Sequence, residues 1–111
     1  MENCIFCKII AGEIPSTKVY EDDEMLIFKD IEPKAKIHLL CVPKTHFAYL
    51  TELDEARAAL VARMVKKIAE KHEEFGLKDG YRLVVNQGEL AGQTVHHLHI
   101  HILGGEKLDW E

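Results

Sequence analysis

The stretch from His96 to Gly105 reads "HHLHIHILGG". Within it His97, His99 and His101 alternate with Leu98, Ile100 and Ile102. Period-two alternation belongs to a β-strand, whose successive side chains point to opposite faces. Three imidazoles therefore share one face; the aliphatic residues and His96 share the other. The aliphatic face needs a packing partner, and the histidine face looks into a cleft. The partner lies upstream. From about Asp54 to Phe75 the period changes, and Leu53, Ala56, Leu60, Met64, Ile68 and Phe75 recur at helical spacing. This predicts an amphipathic helix of about six turns, capped by Thr51 or Asp54 and closed by Gly76.

The remaining segments extend this frame. "CIFCKIIA", Cys4 to Ala11, predicts one or two helical turns before Gly12. Pro15, in "EIPST", ends the helical pattern there. "KVYE" and "MLIFKDI" read as strands joined through the acidic "EDDE", and "IHLLCVP" reads as a strand ending at Pro43. "YRLVVN" is a further strand, "QGELAGQT" a loop with two glycines, and "VHHLHIHIL" the last strand. The order is short helix, three strands, long helix, two strands. That predicts an α+β fold, with one long and one short helix on an antiparallel sheet of about five strands, in a single domain over residues 1–111. One sheet face takes the long helix, and the other is left for a ligand.

Composition narrows the function classes. A chain of 111 residues buries only roughly two thirds of its unfolded surface, so a second subunit would add core. With 47% hydrophobic and 30% charged residues it is a folded globular chain. Lys plus Arg is 14 against 19 for Asp plus Glu, a net charge of −5 that speaks against nucleic-acid backbone binding but allows a small phosphorylated ligand. No apolar run approaches the ~18 residues of a membrane span, and the N-terminus lacks the pattern of a signal peptide. The odd set Cys4, Cys7 and Cys41 argues against a disulfide framework and for a reducing, cytoplasmic setting.

The histidine row has three readings. A polar strand face is one, although such faces usually carry Thr, Lys or Glu. Metal ligation is another, but three parallel side chains on one flat strand do not converge on a tetrahedral ion. Catalysis is the third, because a neutral imidazole is both a nucleophile and an acid or base near neutral pH. The loop before the strand favours it: Gly88 and Gly92 open backbone N–H groups to an anion, and Gln93 and Thr94 add donors. Elsewhere the bland readings stand. Phe6, Ile9, Phe28 and Ile31 suit ordinary core, Asp30 suits a turn cap, His38 alone says little, and His72 suits a boundary position. Cys41 suits a small core position. The pair Cys4 and Cys7 suits redox chemistry, metal binding or packing, though no strand precedes it as a thioredoxin-like site requires.

His97-x-His99-x-His101 followed by aliphatics resembles the signature of the histidine triad (HIT) family. The likeness extends through "CKIIAGEIPSTKVYEDDEMLIFKDI", "HLLCVPKTH" and "GYRLVVNQGELAGQTVHHLHIHILGG", essentially the whole chain. The tail "LGGEKLDW" resembles the Hint branch, the purine nucleoside phosphoramidases. The resemblance implies a homodimer with sheets joined across it, Trp110 lying near the partner's site, and hydrolysis of P–N bonds through a nucleotidyl-histidine. It implies that His99 is the nucleophile, its Nδ1–H held by the His97 carbonyl. It implies that His101 contacts the phosphate and protonates the leaving amine, with His38 supporting the relay. Asn86, Gly92, Gln93 and Thr94 would bind phosphate, Thr94 standing where Ser is frequent. Asp30 would hold the ribose, and Phe6, Ile9, Phe28, Ile31 and Leu40 would form the base slot. The alternatives are dinucleoside polyphosphate hydrolysis, the habit of the Fhit branch, and a nucleotide-binding interaction protein. Branches that keep the cysteine pair complete a zinc site with two histidines, which here implies a structural zinc on Cys4, Cys7, His46 and His97. The chemistry itself would need no cofactor.

Overall fold

The computed structural model describes residues 3–109; Trp110, expected near a partner's site, lies outside the described residues. Its elements are α1 (Ile5–Ile10), β1 (Lys18–Glu21), β2 (Met25–Lys29), β3 (Ile37–Pro43), α2 (Glu55–Lys71), β4 (Tyr81–Val84) and β5 (Ile100–Gly104). The expected order is met, and the strands form one antiparallel sheet in the order β1-β2-β3-β5-β4. Two short 3-10 turns, Leu50–Glu52 and Glu89–Ala91, come in addition.

Period-two alternation sorts the side chains into two cores. Met25, Ile27, Leu39, Cys41, Leu98, Ile100 and Ile102 pack with Leu60, Met64 and Ile68 of α2. On the opposite face Leu26, Phe28, Leu40 and Val42 pack with Phe6 and Ile9 of α1. Strands β2 and β3 are thus covered on both sides, which explains the unbroken apolar runs Met25–Phe28 and Leu39–Val42.

At two boundaries the difference from the sequence reading is large. Helix α2 stops at Lys71 rather than Phe75: Leu77 N–H bonds the His72 carbonyl at 2.9 Å, and Gly76 turns the chain at φ +82°. Its N-cap is Asp54, whose carboxylate accepts from the Arg57 N–H. Near that end Ala56 is exposed, and Arg57 instead sets its guanidinium over the Phe47 ring, 5.0 Å from the centroid. The last strand begins at Ile100, not Val95. Pro43 has no N–H to continue the β3 ladder, and its carbonyl is taken by the His97 side chain. Alternation nonetheless persists upstream, because Leu98 N–H bonds the Phe47 carbonyl at 2.7 Å and keeps Leu98 in the helix-side core. His96 does not reach that core; it is exposed beside Tyr49, with ring centroids 6.1 Å apart.

Candidate functional site

A cleft of about 680 Å³ opens on the sheet face opposite α2. Strand β3 supplies His38 and Leu40, β5 supplies His101, and the segment just before β5 supplies His99. Phe6 and Ile9 of α1 and Phe28 of β2 line its apolar end, and Asp30 closes β2 at its mouth. Asn86, Gly92 and Thr94 line the side formed by the glycine loop. The fold therefore brings together nearly all the residues singled out for nucleotide contact. Two sit differently. Ile31 is 93% exposed, at the rim rather than in a slot. Gln93 is buried away from the cleft, its Oε1 accepting from Gly88 N–H at 2.7 Å and its Nε2 donating to the carbonyls of Ala48 and Val95. Gln93 thus fastens the loop that carries Gly92 and Thr94. Gly92 itself has φ +96° with open space where a Cβ would lie, so the backbone angle, not crowding, requires glycine there.

Hydrogen-bond partners fix the tautomers of the row. The His99 Nδ1 lies 2.7 Å from the His97 carbonyl, which only accepts, so Nδ1 carries the proton and Nε2 keeps its lone pair. The Lys34 backbone N–H donates to His38 Nδ1 at 2.9 Å, which puts the His38 proton on Nε2. That N–H lies 2.9 Å from His101 Nδ1 and 3.4 Å from Asp30 Oδ2. His101 consequently accepts at Nδ1 and presents Nε2–H. The rings of His99 and His101 stand 4.9 Å apart, a lone pair beside a donor.

Burial keeps these rings neutral. It lowers His99 below the ordinary histidine value and takes His101 down to about 4, with the neighbouring His99 and His38 pressing the same way. His38 is lowered by burial too, against the opposing pull of Asp30. Near pH 7 the row therefore holds uncharged imidazoles.

A second cluster sits behind the cleft. Sγ of Cys4 and Cys7 and Nδ1 of His46 and His97 all lie within 4.8 Å of one another. His97 Nε2–H donates to the Pro43 carbonyl at 2.8 Å, so its Nδ1 offers a lone pair to the cluster. Tetrahedral zinc bonds imply ligand-to-ligand edges of about 3.4 Å for N–N and about 3.6 Å for S–N. The separations are 3.1 Å between the two Nδ1 atoms, and 3.3, 3.3 and 3.6 Å for the sulfur–nitrogen pairs. Burial and the adjacent Cys4 push the Cys7 thiol up to about 11, so a cation is needed to displace its proton. The donor set and its spacing fit a tetrahedral metal. Burial also takes His97 down to about 4, which keeps its lone pair available.

Asp30, His38 and His101 also offer ligand atoms within 4.8 Å of one another. Their hydrogen bonds argue the other way. A metal on His38 Nε2 would move its proton to Nδ1, where it would face the Lys34 N–H, donor against donor.

Sequence reasoning missed several wall residues. Leu103 and Val84 follow from the sheet: Leu103 lies two residues beyond His101, and Val84 is paired with His101. Ile14, Val95 and Lys34 come from irregular segments, whose placement no periodicity reports.

A fold with two helices on a five-stranded antiparallel sheet, and a histidine row facing its open side, defines a class. The family model described as "HIT domain" matches residues 11–108. The chain is 50% identical over 104 residues to Protein HitA of Neisseria gonorrhoeae, covering 94% of this chain and 97% of that protein. A HIT family hydrolase from Clostridium thermocellum superposes with a TM-score of 0.95 at 45% identity, covering 100% of this chain and 97% of that one. A histidine triad protein from Clostridium difficile does so with a TM-score of 0.93 at 45% identity, over 100% and 98% of the two chains. The chain belongs to the HIT domain family.

Proposed function

We propose that this protein hydrolyses purine nucleoside phosphoramidates, a Hint-type activity, through a covalent nucleotidyl-His99. The observation that carries the reading is the fixed tautomer of His99: Nδ1–H is tied to the His97 carbonyl, and the Nε2 lone pair faces the cleft beside a proton donor. Solved relatives named HIT family hydrolases support the reaction class.

In the proposed reaction the base occupies the slot of Phe6, Ile9, Phe28 and Leu40, with Ile31 at its rim. Asp30 meets the ribose hydroxyls. The phosphate sits against Asn86, the Gly92 backbone and Thr94. His99 Nε2 attacks the α-phosphorus as the P–N bond breaks, and the departing amine takes the His101 Nε2 proton; the negative charge left on His101 is offset by the imidazolium formed at His99 and by the His38 N–H at its Nδ1. Water then attacks the phosphorus and gives a proton back to His101. The His99–P bond breaks and the nucleoside monophosphate leaves. Because the row is neutral at rest, the nucleophile needs no prior deprotonation.

The Cys4, Cys7, His46 and His97 cluster suits one structural zinc, as the tetrahedral edges and the His97 tautomer support. It closes the fold behind the cleft and takes no part in bond breaking. Bare thiols in such a site suit a reducing cytoplasm. No helix among the described residues is long and apolar enough to cross a membrane. Strand β4 stands at one sheet edge, and the sheet of a second copy would join there to form a homodimer and supply the missing core.

The test is turnover of an adenosine phosphoramidate by His99→Gly, with AMP binding measured alongside. Lost turnover with retained binding is expected; unchanged turnover ends the mechanism. Comparing that substrate with a diadenosine polyphosphate decides the substrate class. Zinc below a tenth of an equivalent in protein purified without chelator would end the metal reading.

A further inference from the structure

We infer that Phe6 is a positioning residue for the nucleophile, pressed onto the His99 ring by the same cluster that holds His97. The inference rests on the metal reading of Cys4, Cys7, His46 and His97. Phe6 stands between two of those ligands in the sequence Cys4-Ile5-Phe6-Cys7. It is buried, and its ring meets His99 in a T-shaped contact, with centroids 5.0 Å apart and planes at 87°. The same ring meets His97 at 6.0 Å and Phe28 at 5.7 Å, both T-shaped.

His99 is therefore gripped at two points. Its Nδ1–H is held by the carbonyl of His97, whose own ring is a ligand of the cluster. Its ring is held by Phe6, which lies between the cap Cys4 and Cys7 in the first turn of α1. With no metal, α1 and its cap meet His97 through the Phe6 ring and through weak sulfur contacts of Cys4 and Cys7, at 3.3 and 3.6 Å. A bound ion would convert these contacts into bonds and set Phe6 and His97 at one fixed separation. The distance over which His99 must reach a phosphorus is then decided outside the cleft. A base-slot wall alone would affect binding, whereas a part that aims the nucleophile affects the rate after binding.

The two roles separate in kinetics. Phe6→Leu keeps an apolar wall and removes the aromatic ring; Phe6→Tyr keeps the ring. Phe6→Leu should lower kcat on an adenosine phosphoramidate about tenfold while KM changes less than about threefold, and Phe6→Tyr should restore most of the rate. A loss confined to KM, or no loss, overturns the positioning role. In parallel, zinc content is measured, the metal is stripped, and the His99 Nδ1–H proton is followed by NMR. Stripping should broaden or erase that resonance, and re-adding zinc should restore it. An unchanged resonance in protein that verifiably lost one equivalent of zinc overturns the clamp. Protein that takes up no zinc ends the metal reading and the clamp together, and Phe6→Leu still judges the positioning role. The resonance needs no turnover, so it reports on the grip even if the hydrolase reading fails.

Discussion

Two clusters flank His99, and both hold side chains that metals favour. One is Cys4, Cys7, His46 and His97; the other is Asp30, His38 and His101. Their spacing does not separate them, since each draws its ligand atoms within 4.8 Å. Their backbone partners do. The carbonyl of Pro43 faces the outer nitrogen of His97 and accepts from its N–H, leaving a lone pair inward. An amide N–H, Lys34, faces the outer nitrogen of His38 and pushes its proton inward. One cluster therefore converges lone pairs and suits a cation; the other passes a hydrogen bond to His101 and suits proton donation. Whether an imidazole serves as ligand or acid is decided by whether its far nitrogen meets C=O or N–H.

The largest test of that division removes the group both clusters serve. His99→Ala should reduce phosphoramidate turnover by about 10⁴-fold or more, because nothing else in the cleft offers a free imidazole lone pair of fixed tautomer. AMP affinity, by equilibrium titration, should change only a few-fold. Next comes the contrast itself. His38→Ala should lower kcat about 10- to 100-fold for an amine leaving group, and much less for a p-nitrophenyl ester of AMP that needs no proton. An equal loss on both substrates breaks the assignment of His38 and His101 to proton donation. Conversely, Cys7→Ser should lower the melting temperature by roughly 10 °C and abolish zinc uptake, whereas His38→Ala should keep its zinc, read by elemental analysis.

Acid should act on both clusters, and the shifts set its sign. His101 and, without metal, His97 hold folded values of about 4 against an ordinary 6.5. Between those limits the unfolded chain binds more protons than the native one, so stability is complete above about pH 6.5 and declines as pH falls toward 4. Melting of metal-free protein at pH 7.5 and pH 5 should show the drop. Bound metal should steepen it, since protons compete for its ligands. The rate of hydrolysis at saturating substrate should stay level from pH 8 through the ordinary histidine value of 6.5, because burial lowers His99 below it.

Period two in "HLHIHI" and the helical spacing of Leu60, Met64 and Ile68 were enough to place the long helix on one sheet face and the imidazoles on the other. That much was legible because burial selects whole faces, and faces have periods. The tautomers were less legible: the His97 carbonyl holding His99 came from family resemblance, and the Lys34 amide came from nowhere in the sequence. It is a backbone group in an irregular segment, and any residue but proline would supply it. Cys4 and Cys7 lie on one side of the chain and His46 and His97 far along it; spacing alone left their use open, and the fold gathers them. His96 shows the converse limit. Alternation put it on the helix side, but the strand does not begin until Ile100, and His96 stays outside the core.

Gln93 gives the smallest expected effect. Its sequence position offers a donor to an anion; in the fold its amide spans the glycine loop from Gly88 N–H to the carbonyls of Ala48 and Val95. Both ends of that amide are engaged, so it has nothing to give a phosphate. Gln93→Glu keeps the acceptor for Gly88 but loses the donor to both carbonyls and buries a carboxylate, a cost the loop can relieve only by shifting. The Gly92 backbone and Thr94 would then shift with it. The expected result is a KM or AMP dissociation constant raised roughly three- to tenfold, with kcat within about threefold of wild type. A direct phosphate ligand would behave otherwise: Gln93→Glu would set a negative charge against the nucleotide, and the loss of affinity would shrink sharply as ionic strength rises. A salt-independent loss keeps Gln93 as the loop's fastener; a salt-sensitive one returns it to the phosphate.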